Sequence, residues 1–242
     1  MRALRFERVS ILYGHVVALS EVTLDCGAGR VTCLVGPNGA GKTSALASAA
    51  GLVRHAAGRI MIGTREVLPY ESIEGRSYLP QNGTFSKLLT VREVLNFAAS
   101  VTSASEKQYK RALEATGAHQ VFDSKIGQLS GGWERRVGLA WALLQPADVL
   151  LLDEPLVGLD PETLDRVVTH LARRAAEGDT ILLASHDFEA IDALRPSVAV
   201  LDKGRVVARF DPEEGELREL YRVSMKGAPA RTRAAVSHAP VR

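Results

Sequence analysis

The sequence predicts an α/β fold with a parallel sheet at its core, an N-terminal antiparallel β subdomain and an inserted α-helical subdomain. Three observations carry this. Short, fully apolar runs of the buried-strand kind recur at VTCLV (31–35), VLLL (149–152) and TILLA (180–184). Amphipathic helical patterns alternate with the later runs, as in a parallel sheet. Between about 84 and 145 the strand pattern gives way to helix signals alone.

Taken in order, the first thirty residues read as short strands at Leu4–Val9, Val16–Leu19 and Val22–Leu24, with turns at Tyr13-Gly14 and Gly27-Ala28-Gly29. VTCLV follows, then a glycine-rich loop and a small-residue helix over roughly 42–52. GRIMI (58–62) and SYLP (77–80) read as further strands. Thr90 and Glu93 form a capping-box pattern before VLNFAA. A second helix spans 105–116, ended by Gly117. A third starts near Gly132 and stops before Pro146. Pro161–Ala176 carries Leu164, Val167, Val168, Leu171 and Ala175 on one face. A short helix over 187–194 and strands near 197–201 and 205–209 complete the pattern.

Composition bounds the function. The chain has 242 residues, 46% hydrophobic and 24% charged, with a net charge of +2. That is ordinary globular chemistry, and neither a strongly basic nucleic-acid binder nor an acidic tail protein, so no nucleic-acid partner is expected. Cys26 and Cys33 are too few and too poorly spaced for a disulfide scaffold or a zinc site. The first ten residues carry no apolar signal region, and no uncharged run reaches the roughly 18 residues of a membrane span.

GPNGAGKT (36–43) fits G-x-x-x-x-G-K-[ST] between a predicted strand and a predicted helix. Its glycines let successive N–H groups turn toward phosphate oxygens, and the helix start adds a favourable dipole. Gly36, Pro37, Asn38, Gly39, Ala40, Gly41, Lys42, Thr43 and Ser44 are therefore predicted to hold a nucleotide. Lys42 reaches the β- and γ-phosphates, and Thr43 binds Mg²⁺. This makes the core a phosphate-loop NTPase. VLLLDEP (149–155) supplies the partner motif: a buried strand ends in two carboxylates at the sheet's C-terminal edge. Asp153 is predicted to hold Mg²⁺ and Glu154 to orient or deprotonate the attacking water.

LSGGW (129–133), twenty residues before the VLLLDEP strand, then decides the family. The chain resembles the nucleotide-binding subunit of ABC transporters over about residues 1–222. The resemblance implies the following roles. Tyr13 stacks on adenine, and Gln81 senses Mg²⁺ and the attacking water and links to the membrane partner. Ser130, Gly131 and Gly132 contact the γ-phosphate held by an opposite subunit. Asp160 lies at that interface, and His186 contacts the γ-phosphate. ATP is thus sandwiched in a head-to-tail dimer, homomeric or heteromeric, that drives separate transmembrane permease subunits from the cytoplasmic face of the inner membrane.

Each of these residues also has a plainer reading. Tyr13 packs in a turn, Gln81 is a loop amide, Asp160 caps the helix that begins at Pro161, and His186 is structural. The competing function classes are a soluble non-transport ABC ATPase, which lacks support because only one motif set and a compact insert are present, and a phosphate-loop kinase or GTPase, which LSGG and the lack of N-K-x-D argue against. PLVGLDPET and the compact core look more like bacterial exporter subunits of the type-2 or haem-exporter kind, with an importer subunit, such as one for branched-chain amino acids, as the alternative.

The sequence departs from the family pattern at Trp133, where the signature usually has Gln, and at Trp141, where Arg is frequent. Trp133 cannot reproduce an amide's hydrogen bonds, and Trp141 reads as packing against neighbouring helices or the membrane partner. Residues 222–242 carry +5 and no acidic side chain, against −3 for the rest. A basic, solvated tail from 223 is the expectation, with attraction to anionic lipid as the alternative.

Overall fold

The structure, a computed structural model, describes residues 2–71, 75–82, 85–213 and 215–226. Among these, the chain builds two sheets. In the first, β1 (Leu4–Tyr13) pairs antiparallel with β2 (Val16–Cys26) around a Gly14-His15 turn, and β4 (Ala57–Ile62) and β5 (Arg65–Glu66) extend it in the order β2-β1-β4-β5. The sequence predicted three short strands here, and the structure has one long hairpin. The apparent breaks are bulges: Arg8 (φ 51°) sits where the β1/β2 register shifts between Phe6 and Val9, and Glu21 (φ 52°) where it shifts again between Val9 and Ile11. A bulge bends a strand without ending it.

The second sheet is parallel except at one edge. Its order is β10 (Arg205–Phe210), β9 (Ser197–Asp202), β3 (Val31–Val35), β8 (Thr180–Ala184), β7 (Val149–Asp153), β6 (Arg76–Leu79), with only β10 antiparallel. Every residue of β3, β7 and β8 is buried. Continuous apolar strands suit a sheet covered on both faces. Period-two alternation divides the side chains between two cores. Leu34, Val149, Leu151 and Leu182 pack toward the first sheet and α1 (Lys42–Ala49), whereas Val35, Leu150, Leu152 and Leu183 pack toward the helices.

Between β6 and β7 lie α2 (Val91–Thr102), α3 (Glu106–Thr116) and α4 (Gly131–Leu144), with two 3-10 turns at Ala118–Val121 and Ile126–Gln128. They enclose a small core of Val91, Val94, Leu95, Leu113, Ile126, Val137 and Ala140. Thr90 with Glu93, and Ser105 with Gln108, form complete capping boxes. Gly117 ends α3 in the left-handed conformation (φ 69°). The insertion start expected at 84 falls outside the described residues.

α5 (Pro161–Ala176) is capped by Asp160, and α6 (Phe188–Asp192) is shorter than the expected 187–194. α7 (Leu217–Met225) has no counterpart in the sequence reading. It runs through the expected boundary at 222, so the cut drawn there divides a helix. Leu217, 1% exposed, anchors it, with Tyr221 packed on the same core. The predicted tail beyond 226 lies outside the described residues.

Candidate functional site

The site gathers at the C-terminal ends of β3, β7 and β8, where parallel sheets bind ligands. Gly36–Gly41 leave β3 and turn into α1. Gly41 is the position before α1 and adopts φ 105°; a Cβ there would meet the Ala18 carbonyl at 2.4 Å. Gly39 has φ 79° and open space where its Cβ would be. Lys42 is buried, and its Nζ donates to the carbonyls of Gly36 (2.8 Å) and Pro37 (3.2 Å). An ammonium has three donors, so one remains for a ligand.

Asp153 and Glu154 follow on β7, 3% and 7% exposed. Burial raises the Asp153 carboxyl above the usual range, opposed first by a hydrogen bond with Thr43; the charge of Glu154 adds to the rise and that of Lys42 subtracts from it. Glu154 takes φ 52°, an uncommon value for a residue with a side chain. Its N–H donates to the Ala184 carbonyl, tying the bend to β8. Its Oε1 lies 2.9 Å from His186 Nδ1, a hydrogen bond between the carboxyl group and the imidazole. Among the described residues, Asp153 Oδ2 and Glu154 Oε2 are buried with no hydrogen-bond partner. Buried carboxylate oxygens without partners are costly. They are what a divalent cation and a water proton would satisfy, so the residues fit Mg²⁺ and a phosphate ligand.

A cleft of about 440 Å³ opens beside these carboxylates, lined by Gln81, Tyr78, Phe85, Gly131, Arg135 and Trp141 among others. Gln81 is exposed and shares the cleft with Asp153 and Glu154 without bonding to either. Burial pushes the Tyr78 hydroxyl up to about 12, with Asp153 and Tyr13 adding to it. Sequence reasoning missed Tyr78, whose only signal was its place two residues before Pro80. Trp141 sits between Phe85 (ring centroids 5.4 Å) and Phe97 (6.2 Å), so it packs within the helical segment and on the cleft wall.

Among the described residues, the other expected ones are not bonded to the phosphate loop, although Gly131 lines the same cleft as the carboxylates. Tyr13 ends β1 at the hairpin tip, 48% exposed. No hydrogen bond joins Ser130, Gly131 or Gly132 to residues 36–44 among the described residues. Instead they begin α4, and Ser130 makes no side-chain cap. Asp160 caps α5 through Thr163 N–H (3.0 Å) and also pairs with Arg136, a partner the sequence did not suggest. Arg136 in turn lies 4.4 Å from the centre of the Trp133 ring.

A strand–loop–helix phosphate cradle, with two carboxylates and a histidine at the neighbouring strand ends, defines a phosphate-loop ATPase. Residues 19–157 match the family described as "ABC transporter". The chain is 34% identical over 214 residues to the Nod factor export ATP-binding protein I of Burkholderia lata, covering 86% of this chain and 70% of that protein. It is 33% identical over 225 residues to the zinc import ATP-binding protein ZnuC of Halorhodospira halophila, covering 90% and 82%. A solved ATP-binding subunit of an ABC transporter shares the fold with a TM-score of 0.80 at 24% identity, over 92% of this chain and 99% of that one. The chain belongs to the ABC transporter family and is an ATP-binding, ATP-hydrolysing subunit. No helix among the described residues is long and apolar enough to cross a membrane.

Proposed function

We propose that this subunit hydrolyses ATP at a site completed by a second nucleotide-binding subunit, and that closure and reopening of this pair drive separate transmembrane permease subunits at the cytoplasmic face of the cell membrane. The observation that carries this reading is the start of α4. Three other long helices are capped by the side chains of Thr90, Ser105 and Asp160. α4 begins at Ser130-Gly131-Gly132 with its hydroxyl unused as a cap and open space beside Gly131. Unsatisfied N–H groups at a helix start favour an anion. Since, among the described residues, no hydrogen bond links them to the chain's own phosphate loop, the phosphate they suit is the partner's γ-phosphate.

Within one subunit, Gly36–Ser44 cradle the phosphates, Lys42 offers its remaining donor to the β- and γ-phosphates, and Tyr13 stacks on adenine. Thr43, Asp153 and Gln81 would hold Mg²⁺, which when bound neutralises phosphoryl charge. Glu154 accepts the proton of the attacking water at its unpartnered oxygen, with its other oxygen fixed by His186. His186 contacts the γ-phosphate, and Asp160 lies at the subunit interface. The cleft around Gln81, Phe85 and Trp141, with the exposed Phe97 ring beside Trp141, receives the transmembrane subunit.

The test is Glu154→Gln, which should retain ATP, stop hydrolysis and trap a dimer seen by sedimentation. Wild-type hydrolysis in that variant overturns the reading. For direction, the likeness to Nod factor export proteins supports export. The similar likeness to a zinc import protein favours import as the second reading. Transport into inside-out vesicles carrying the whole complex separates the two.

A further inference from the structure

His186 stands at the end of β8, and its side chain is 64% exposed. The backbone before it is fixed, since Ser185 N–H donates to Leu34 and the Ser185 hydroxyl accepts from Asp187 N–H. The backbone after it is α6, a helix of five residues. A helix so short is not stable by itself. Its order comes from what it touches. Ala190 and Ile191 are buried in the main core. The Phe188 ring meets the Tyr221 ring of α7, with centroids 5.0 Å apart and planes tilted by 45°. Asp192 Oδ2 accepts from the Gly215 N–H at 2.6 Å, two residues before α7 begins. α7 is itself fixed by Leu217, buried against the sheet.

We propose that α7 is the positioning element for His186: through Phe188 and Asp192, Tyr221 and Gly215 set where the imidazole stands against Glu154. The inference rests on the role proposed for His186. Tyr221 makes no contact with Glu154 or the phosphate loop among the described residues, so it is a positioning residue and not a catalytic one. The short α6 supplies little stiffness, and an aromatic pair of this geometry contributes beyond its buried area. Loss of the pair lets the segment after His186 sample other positions, which affects the chemical step and leaves phosphate binding alone.

The experiment compares the full chain, wild type and variants, for kcat, KM, ATP affinity and thermal midpoint. Tyr221→Ala should lower kcat about three- to tenfold with ATP affinity unchanged. Tyr221→Phe keeps the ring and should restore kcat to within about twofold. In a His186→Ala background, Tyr221→Ala should add nothing, because residues acting through one group are not additive. Asp192→Ala removes the second contact at the surface and should lower kcat in the same direction; if Tyr221→Ala does not fold, Asp192→Ala decides alone. Unchanged kcat in the variants, an equal loss of kcat with and without His186, or a joint fall of kcat and ATP affinity that Phe does not rescue overturns the proposal. Wild-type kcat in His186→Ala alone instead sinks the role of His186, which separates the two failures.

Discussion

Gly39 and Gly41 occupy the same loop, both with positive φ, yet their surroundings differ, and alanine at each should separate two costs. At Gly41 (φ 105°) an added Cβ would lie 2.4 Å from the Ala18 carbonyl oxygen and 2.7 Å from Leu19 Cδ2. The Ala18 oxygen belongs to β2, so no side-chain rotation relieves it. Overpacking costs about 1–3 kcal/mol, and the strained backbone adds about 1–2 kcal/mol, giving about 2–5 kcal/mol for Gly41→Ala. At Gly39 (φ 79°) nothing lies within 4 Å of the Cβ, so only the backbone cost applies. For a chain of this size each kcal/mol shifts the midpoint by about 2–4 °C. Gly41→Ala should therefore lose roughly 4–20 °C without nucleotide, and Gly39→Ala roughly 2–8 °C. Gly41→Ala should also lose ATP binding, because it displaces the start of α1. Thermal unfolding followed by ATP titration measures both. Equal midpoint losses in the two variants would refute the argument that the Ala18 backbone is what demands glycine at 41.

Lys42→Ala should weaken ATP binding by at least about tenfold, the loss of a charge-assisted contact, read by nucleotide titration; unchanged affinity would remove Lys42 from the phosphate site. His170 is buried, and burial, aided by Arg173, Arg174 and Arg111, lowers its pKa to about 3. The unfolded chain therefore takes up a proton that the folded chain does not as pH falls from about 6.5 toward 3, and stability falls with it. At pH 5 the loss is about 2 kcal/mol, and His170→Gln, which keeps an acceptor for Arg173, should lose less midpoint between pH 7 and 5 than wild type. Trp141→Ala opens the contact with Phe85 and Phe97 and should cost about 2 kcal/mol by denaturant unfolding, with ATP affinity unchanged.

The central sheet was legible because its strands are buried on both faces. Such strands read as apolar runs whatever their neighbours, and VTCLV, VLLLD and TILLA are buried throughout. The phosphate loop was legible because backbone geometry restricts residue choice, as the wall at Gly41 shows. The capping boxes at Thr90 and Ser105 were local chemistry and needed no tertiary context. What escaped was fixed by contacts distant in sequence. The N-terminal hairpin looked broken because bulges at Arg8 and Glu21 place charged residues off the alternation. α7 was missed because Leu217 and Tyr221 are two apolar positions among charges, and their significance comes from Phe188 and the sheet. The union of Asp160 with Arg136 spans twenty-four residues and leaves no mark in either motif.

That union also explains how the signature helix tolerates Trp133. α4 lacks a side-chain cap, so its first turn needs another support. Arg135 donates to the Val157 carbonyl at 3.0 Å, and Arg136 pairs with Asp160, both in the segment that leads into α5. Asp160 is simultaneously the α5 cap, so the starts of the two helices share one carboxylate. The Trp133 ring lies against the guanidinium of Arg136, whose side chain is only 15% exposed. An indole covers a cation through its face, which an amide cannot do. The substitution thus gives up the hydrogen bonds of a glutamine and gains shielding of the ion pair that joins α4 to α5. The cap also holds the Asp160 carboxylate where Arg136 ties the segment after Glu154 to the helix that begins with Ser130-Gly131-Gly132.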